Sequence, residues 1–156
     1  MLFAKQVCVG FSIVFCVATL AGPAAAGPTA AEADVIRAVN EARAAHGLRV
    51  LALDVRLERA ARNHSRSMIR SGSFAHGDVR RRLAAVGVRG SVYGENLAWG
   101  VGSSASAAAV VQMWLNSPPH RANLLRPGFR RLGIGRRVGT FAGHRGAAVV
   151  TANFAG

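Results

Sequence analysis

Cysteine is missing from all but the first sixteen residues: Cys8 and Cys16 are the only two in a chain of 156. Both lie in one apolar run, and loss of that run on export leaves no residue for a disulfide, a thiol nucleophile or a sulfur-bound zinc. An exported fold without disulfides rests on packing alone. Lysine is missing too. Beyond Lys5 every basic residue is arginine, and with so much alanine beside it this reads first as the coding bias of a GC-rich genome. Acid is scarce: seven Asp and Glu stand against 20 Lys and Arg, for a net charge of +13. Surface solvation accounts for most of those arginines, and their surplus attracts anionic polymers and lipid head groups at long range. They are spread along the chain instead of being interleaved with aromatics, which speaks against nucleic acid as a partner. The sequence also lacks internal repeats, a phosphate-binding glycine loop and a zinc-protease signature. Ser65 beside His64 makes no nucleophile–base pair, since neighbouring side chains on a helix do not face each other.

What is present begins with export. Lys5 precedes an uncharged stretch from Val7 to Leu20, followed by Gly22-Pro23 and Ala24-Ala25-Ala26. A positive start, an apolar middle and a small-residue exit are the three parts of a secretory signal peptide, with cleavage expected after Ala26. The run falls short of the ~20 apolar residues that cross a bilayer, so no stable membrane span is expected after cleavage. Bulky Ile13-Val14-Phe15 before Cys16 disfavours lipid attachment there. Residues 1–26 are therefore read as the signal peptide, 27–31 as a short mobile lead and 32–156 as one domain. The 130 residues that remain are enough to bury a core.

Along that domain, Val35, Val39 and Ala42 recur at helical spacing between Glu32 and His46, and Gly47 stops the helix. Leu48 to Leu53 reads as a connector. Asp54 is placed to cap a second helix, with Glu58 in its first turn; Leu57, Ala60, Ala61, His64 and Met68 share one face as far as Ser71-Gly72. Asp78 caps a shorter arginine-rich helix through Leu83 to Val86. Ser104 or Ser106 opens another, striped by Ala107, Val110, Val111, Trp114 and Leu115 and ended by Pro118-Pro119. Residues 132–135 and 147–154 read as strands joined by a turn-rich segment from Gly139 to Gly146, and Ser91 to Trp99 as a third. Helices first and strands mainly late predict an α+β fold with helices on a small antiparallel sheet.

Three segments stand out: Phe74-Ala75-His76, Gly94-Glu95-Asn96-Leu97-Ala98, and the run from Trp114 to Leu125 that contains Asn116-Ser117-Pro118-Pro119-His120-Arg121-Ala122-Asn123. With Ala60 to Met68, Phe129 to Gly135 and Val150 to Phe154, their order resembles bacterial members of the CAP superfamily. That superfamily groups cysteine-rich secretory proteins, insect antigen 5 and plant pathogenesis-related proteins. The likeness runs from about Ala31 to Gly156. It implies an α-β-α sandwich and a cleft where two histidines and two glutamates hold a divalent metal. His76 and Glu95 match the first histidine and one glutamate, and His120 takes the place of the final histidine. The second glutamate does not carry over, because Ser117 stands at its position. The resemblance thus leaves His76, Glu95 and His120 as a tentative ligand set for a metal such as Zn²⁺, with an open position for water and without a second carboxylate as general base.

Each residue also has a plainer structural reading. His76 can bond its own loop, Glu95 can bind backbone amides, and His120 can orient the helix that follows the prolines. His64 reads as a satisfied core histidine, His46 and His144 as solvent-facing, Trp99 and Trp114 as core. Asn96 and Asn123 read as residues that hold the cleft loops. The expectation is a secreted, monomeric binding or interaction module, its partner an anionic cell-envelope component or lipid. The alternative is a metal-dependent hydrolase using the same cleft.

Overall fold

A computed structural model describes residues 27–156; the expected signal peptide lies outside the described residues. The first helix, α1 (Ala30–Ala45), starts earlier than the sequence suggests. The Thr29 hydroxyl accepts from the Glu32 N–H at 3.3 Å, and Glu32 accepts from the Thr29 N–H at 2.9 Å. This capping box satisfies two otherwise orphaned donors. It corrects the reading of residues 27–31 as a mobile lead, since Thr29 to Ala31 form the cap and first turn of a helix.

The stretch read as a connector ends in a two-residue strand, β1 (Ala52–Leu53), paired parallel to Arg131 and Leu132. Asp54 caps α2 (Val55–Ser71) by accepting from the N–H groups of Arg56 and Leu57, and Gly72 closes it at φ +67°, a left-handed conformation that costs glycine little. Asp78 caps α3 (Val79–Ala85) in the same way. Then come β2 (Tyr93–Gly100), a short 3₁₀ turn at Gly102–Ala105, and α4 (Ala107–Asn116), capped by Ser106. Pro118 begins α5 (Pro118–Leu124), a position where the missing N–H is no loss.

The final hairpin, β3 (Arg131–Phe141) and β4 (His144–Ala155), runs straight through the segment read as turn-rich. Only Ala142-Gly143 is left between its strands. Gly139 belongs to the ladder, and its missing side chain makes room for Ile69 of α2: a Cβ there would lie 2.7 Å from the Ile69 side chain.

The sheet order is β1-β3-β4-β2, antiparallel except for the parallel β1 edge. It is therefore mixed, not purely antiparallel as expected. The fold is α+β in three layers, because alternation along each strand sends side chains to opposite faces. Leu132, Ile134, Val150, Ala152 and Phe154 pack with Val35 and Val39 of α1, Val110, Val111 and Trp114 of α4, and Leu124 of α5. On the other face, Thr151 bonds Ser65 of α2 at 2.9 Å, and Val149 packs with Met68. There α2 lies directly on the β3 backbone: a Cβ at Gly133 or Gly135 would sit 2.1 Å from the backbone nitrogen of Glu58 or Arg62. Strand β2 is left at the free edge opposite β1, and the candidate residues gather around it.

Candidate functional site

Strand β2 pairs Glu95 with Asn153 and Leu97 with Thr151, so Glu95 takes the α2 face and Asn96 the α5 face. On the α2 face Glu95 is buried and surrounded by donors. His76 Nδ1 donates to its Oε1 at 2.8 Å. The Arg82 guanidinium of α3 donates to Oε2 and, through its other nitrogen, to the His76 carbonyl. The Asn153 amide, with its nitrogen turned to Glu95, donates to Oε2 at 3.1 Å while its oxygen accepts from the Ala61 N–H at 3.2 Å. Burying a carboxylate is costly unless donors surround it, and here both oxygens have them.

His64 of α2 stands 3.9 Å from Glu95 Oε1, and its Nε2 donates to the Ala75 carbonyl at 3.0 Å. It is the buried, hydrogen-bonded histidine expected from its helix face, and it also pins the loop that presents His76. Burial pushes its pKa below the ordinary histidine value; the Glu95 charge opposes this, while Arg82 and His76 reinforce it. The neutral imidazole is therefore favoured.

On the α5 face the asparagines tie the helix to the strand. Asn96 Nδ2 donates to the His120 carbonyl at 2.9 Å, and Asn123 Nδ2 lies 3.1 Å from both the Glu95 carbonyl and Asn96 Oδ1. His120 sits at the start of α5, where burial and the nearby charge of His76 depress its pKa. Its Nδ1 is buried and has no hydrogen-bond partner among the described residues. Ser117, at the position of the family's second glutamate, is the N-cap residue of α5 and makes no side-chain cap bond.

The structure thus joins His76 to Glu95 directly and sets His120 near His76 without contact to the carboxylate. Among the described residues, no three His, Cys, Asp or Glu side chains are arranged to hold a metal ion. The donors themselves explain why. Arg82 and Asn153 cover one oxygen of Glu95 and His76 covers the other, so a guanidinium charge stands where a dication needs the carboxylate's lone pairs. As arranged, this set does not fit a divalent metal.

The remaining candidates fall where their residue types suggest. Trp114 is fully buried, its Nε1 donating to the Leu97 carbonyl at 2.9 Å. Trp99 packs edge-on against Phe141 and lies 5.8 Å from the His144 ring. His46 is exposed at the end of α1. Sequence reasoning missed Arg82, Asn153 and the closeness of His64 to Glu95. Arg82 is one of three consecutive arginines, and nothing local distinguishes it; only the docking of α3 beside β2 does.

Comparison with known proteins agrees with this geometry. The pattern of the CAP, or cysteine-rich secretory protein, family matches residues 36–154. The YkwD protein of Bacillus subtilis is 32% identical over 112 residues, which are 69% of this chain and 42% of that relative. Pathogenesis-related protein 1C of Nicotiana tabacum is 31% identical over 90 residues, 58% of this chain and 46% of its own. The chain thus spans less than half the length of either relative. Among solved structures, an extracellular SCP-domain protein of Bacillus anthracis superposes with a TM-score of 0.67 at 28% identity, over 83% of this chain and 45% of that one. An outer surface protein of Borrelia burgdorferi reaches the same TM-score at 20% identity, over 81% and 94%, a likeness of fold alone. The family pattern matched over residues 36–154, the similarity to the Bacillus subtilis relative and the shared three-layer sandwich lead to one conclusion: this chain belongs to the CAP family.

Proposed function

We propose that this protein is an exported binding module of the extracellular or cell-envelope space, with the cleft around His76, Glu95 and His120 as a recognition site. The observation that carries this reading is the state of Glu95. Its carboxylate is buried, held by Arg82, His76 and Asn153, and has no second carboxylate beside it to serve as general base. Such a site offers fixed polar contacts in place of a reactive group. Export is supported by the signal-peptide pattern of residues 1–26 and by a structural neighbour described as extracellular. Among the described residues no helix is long and apolar enough to cross a membrane.

The charge of +13 supports association with an anionic envelope component or lipid. Sedimentation of the purified protein with anionic and neutral vesicles tests this. Binding to the anionic vesicles is expected at low salt and is expected to weaken as the ionic strength rises and screening shortens the reach of the charges. Equal binding at low and high salt removes the charge-driven part of the reading.

One observation favours a second reading, a zinc-dependent hydrolase: among the described residues, the buried His120 Nδ1 has no hydrogen-bond partner. That reading requires Arg82 to leave Glu95. Zinc titration separates the two. The binding-module reading expects no stoichiometric uptake by the unaltered protein. One equivalent bound, and lost in the His76→Ala, His120→Ala double variant, would transfer the cleft to the hydrolase.

A further inference from the structure

A second cleft, sharing no residue with the His–Glu site, lies on the outer flank of α2 beside β3. It encloses about 280 Å³ and is lined by Arg56, Arg59, Arg62 and Arg66 of α2, Arg137 of β3, and Glu58. On one helix, Arg59, Arg62 and Arg66 follow at spacings of three and four, which places their charges side by side. Like charges at that spacing destabilise a helix, so the arrangement is a liability unless something neutralises it.

Part of it is neutralised from within. Arg62 grips Glu32 at 2.6 Å and Glu58 at 2.5 Å, two carboxylates on one guanidinium. Among the described residues, the other four arginines have no carboxylate partner. Arg56 donates to the Gly87 carbonyl, Arg59 to the Val86 carbonyl and Arg66 to the Asn63 side chain. Those oxygens hold the side chains in place without cancelling any charge. Among the described residues, the buried Arg137 Nε meets no acceptor. The cleft therefore carries four guanidinium charges against one surplus carboxylate, and at least one buried donor is left unmade, which is costly for a polar group away from water.

We propose that this cleft binds a phosphate group, carried as a phosphomonoester or a phosphodiester. Guanidinium forks match phosphate oxygens in pairs. The volume, several times the ~30 Å³ share of one water molecule, admits the group together with a small substituent. Its source is either a phospholipid head group or a soluble phosphate compound. As the place where anionic envelope material is held, the cleft rests on the association proposed above; as a phosphate site, it stands on its own geometry.

The test is a titration of the purified protein with inorganic phosphate and with glycerol 3-phosphate, followed by calorimetry and by amide NMR shifts. The expected result is saturable binding, with shifts concentrated on α2 and around Arg137. In the Arg59→Gln, Arg66→Gln double variant the affinity is expected to fall about tenfold or more, as befits the loss of two charge-assisted contacts. Arg137→Gln provides an independent check with a smaller charge change. A charge-matched control, Arg121→Gln with Arg126→Gln on α5 and the segment after it, is expected to keep the affinity within about twofold, since those side chains lie outside the cleft.

Phosphate binding that is absent, non-saturable or equally weakened in the control overturns the site. Phosphatidylglycerol vesicles then separate the sources. Binding to vesicles that falls with the cleft variants assigns a lipid head group, and binding confined to the soluble compounds assigns a free phosphate. Vesicle association that persists undiminished in a cleft variant unable to bind phosphate removes the cleft from that association and leaves the general charge-driven reading standing.

Discussion

At the scale of the residue, Glu95 decides what the cleft can do, and His64 shows how the protein keeps it that way. A carboxylate placed under a sheet edge is stable only with close donors, and Arg82, His76 and Asn153 supply them. His76, Glu95 and His120 were legible as candidates because their neighbours form recognisable segments. Arg82 was not, because its role depends on which strand α3 packs beside. The histidines also yield a pH prediction. Burial holds the folded-state pKa of His64 and His120 below the ordinary value, so the unfolded chain binds protons that the folded chain refuses. Their contribution is complete above about 6.5 and declines as the pH falls below it. Urea denaturation at several pH values is expected to show stability dropping from neutral pH toward pH about 5.5, with a shallower drop in His64→Gln. A drop of unchanged steepness in both His64→Gln and His120→Gln would place the dependence elsewhere. Glu32 acts in a lower window. Burial raises its pKa, but bonds from Arg62, Thr29 and the Arg136 backbone outweigh this and bring it to about 2, so its support is lost only as the pH falls from about 4.5 toward 2.

At the scale of the element, the contact between α2 and β3 holds one layer of the sandwich to the next. Gly133 and Gly135 let the helix backbone rest on the strand with no side chain between. Gly135→Ala forces a methyl group into the backbone of α2 at Arg62, and overpacking of this kind typically costs up to about 3 kcal/mol. Thermal unfolding should show a clear loss for Gly135→Ala and almost none for Gly27→Ala, where a Cβ meets nothing within 4 Å. A Gly135→Ala protein as stable as its parent would mean that the layers separate more easily than their spacing suggests. Helix ends were the most legible elements, because Asp54, Asp78 and Ser106 cap through their own side chains and such local chemistry leaves a local signature. The two-residue β1 left none, since its pairing with Arg131 and Leu132 is set by residues nearly eighty positions away. The hairpin was read too short for a related reason: its glycines look like turn residues, yet Gly139 is small because Ile69 lies against it.

At the scale of the whole molecule, two absences shape behaviour. No cysteine occurs between residues 27 and 156, so stability rests on the core that fills both faces of the sheet. The melting temperature of the protein from which residues 1–26 have been cleaved is therefore expected to be the same with and without reductant; a reductant-dependent shift would point to a covalent link that these residues cannot make. Scarcity of acid leaves a cationic surface, and the structure gathers part of it into one cleft on α2. Composition, the export pattern, the helix caps and the family motifs are properties of short stretches, and the sequence alone determined them, along with the α+β class. The mixed sheet, the Arg82 clamp on Glu95, the separation of His120 from that carboxylate and the arginine-lined cleft were decided only by tertiary structure. Each depends on side chains brought together from distant positions by packing, and no local spacing encodes that distance.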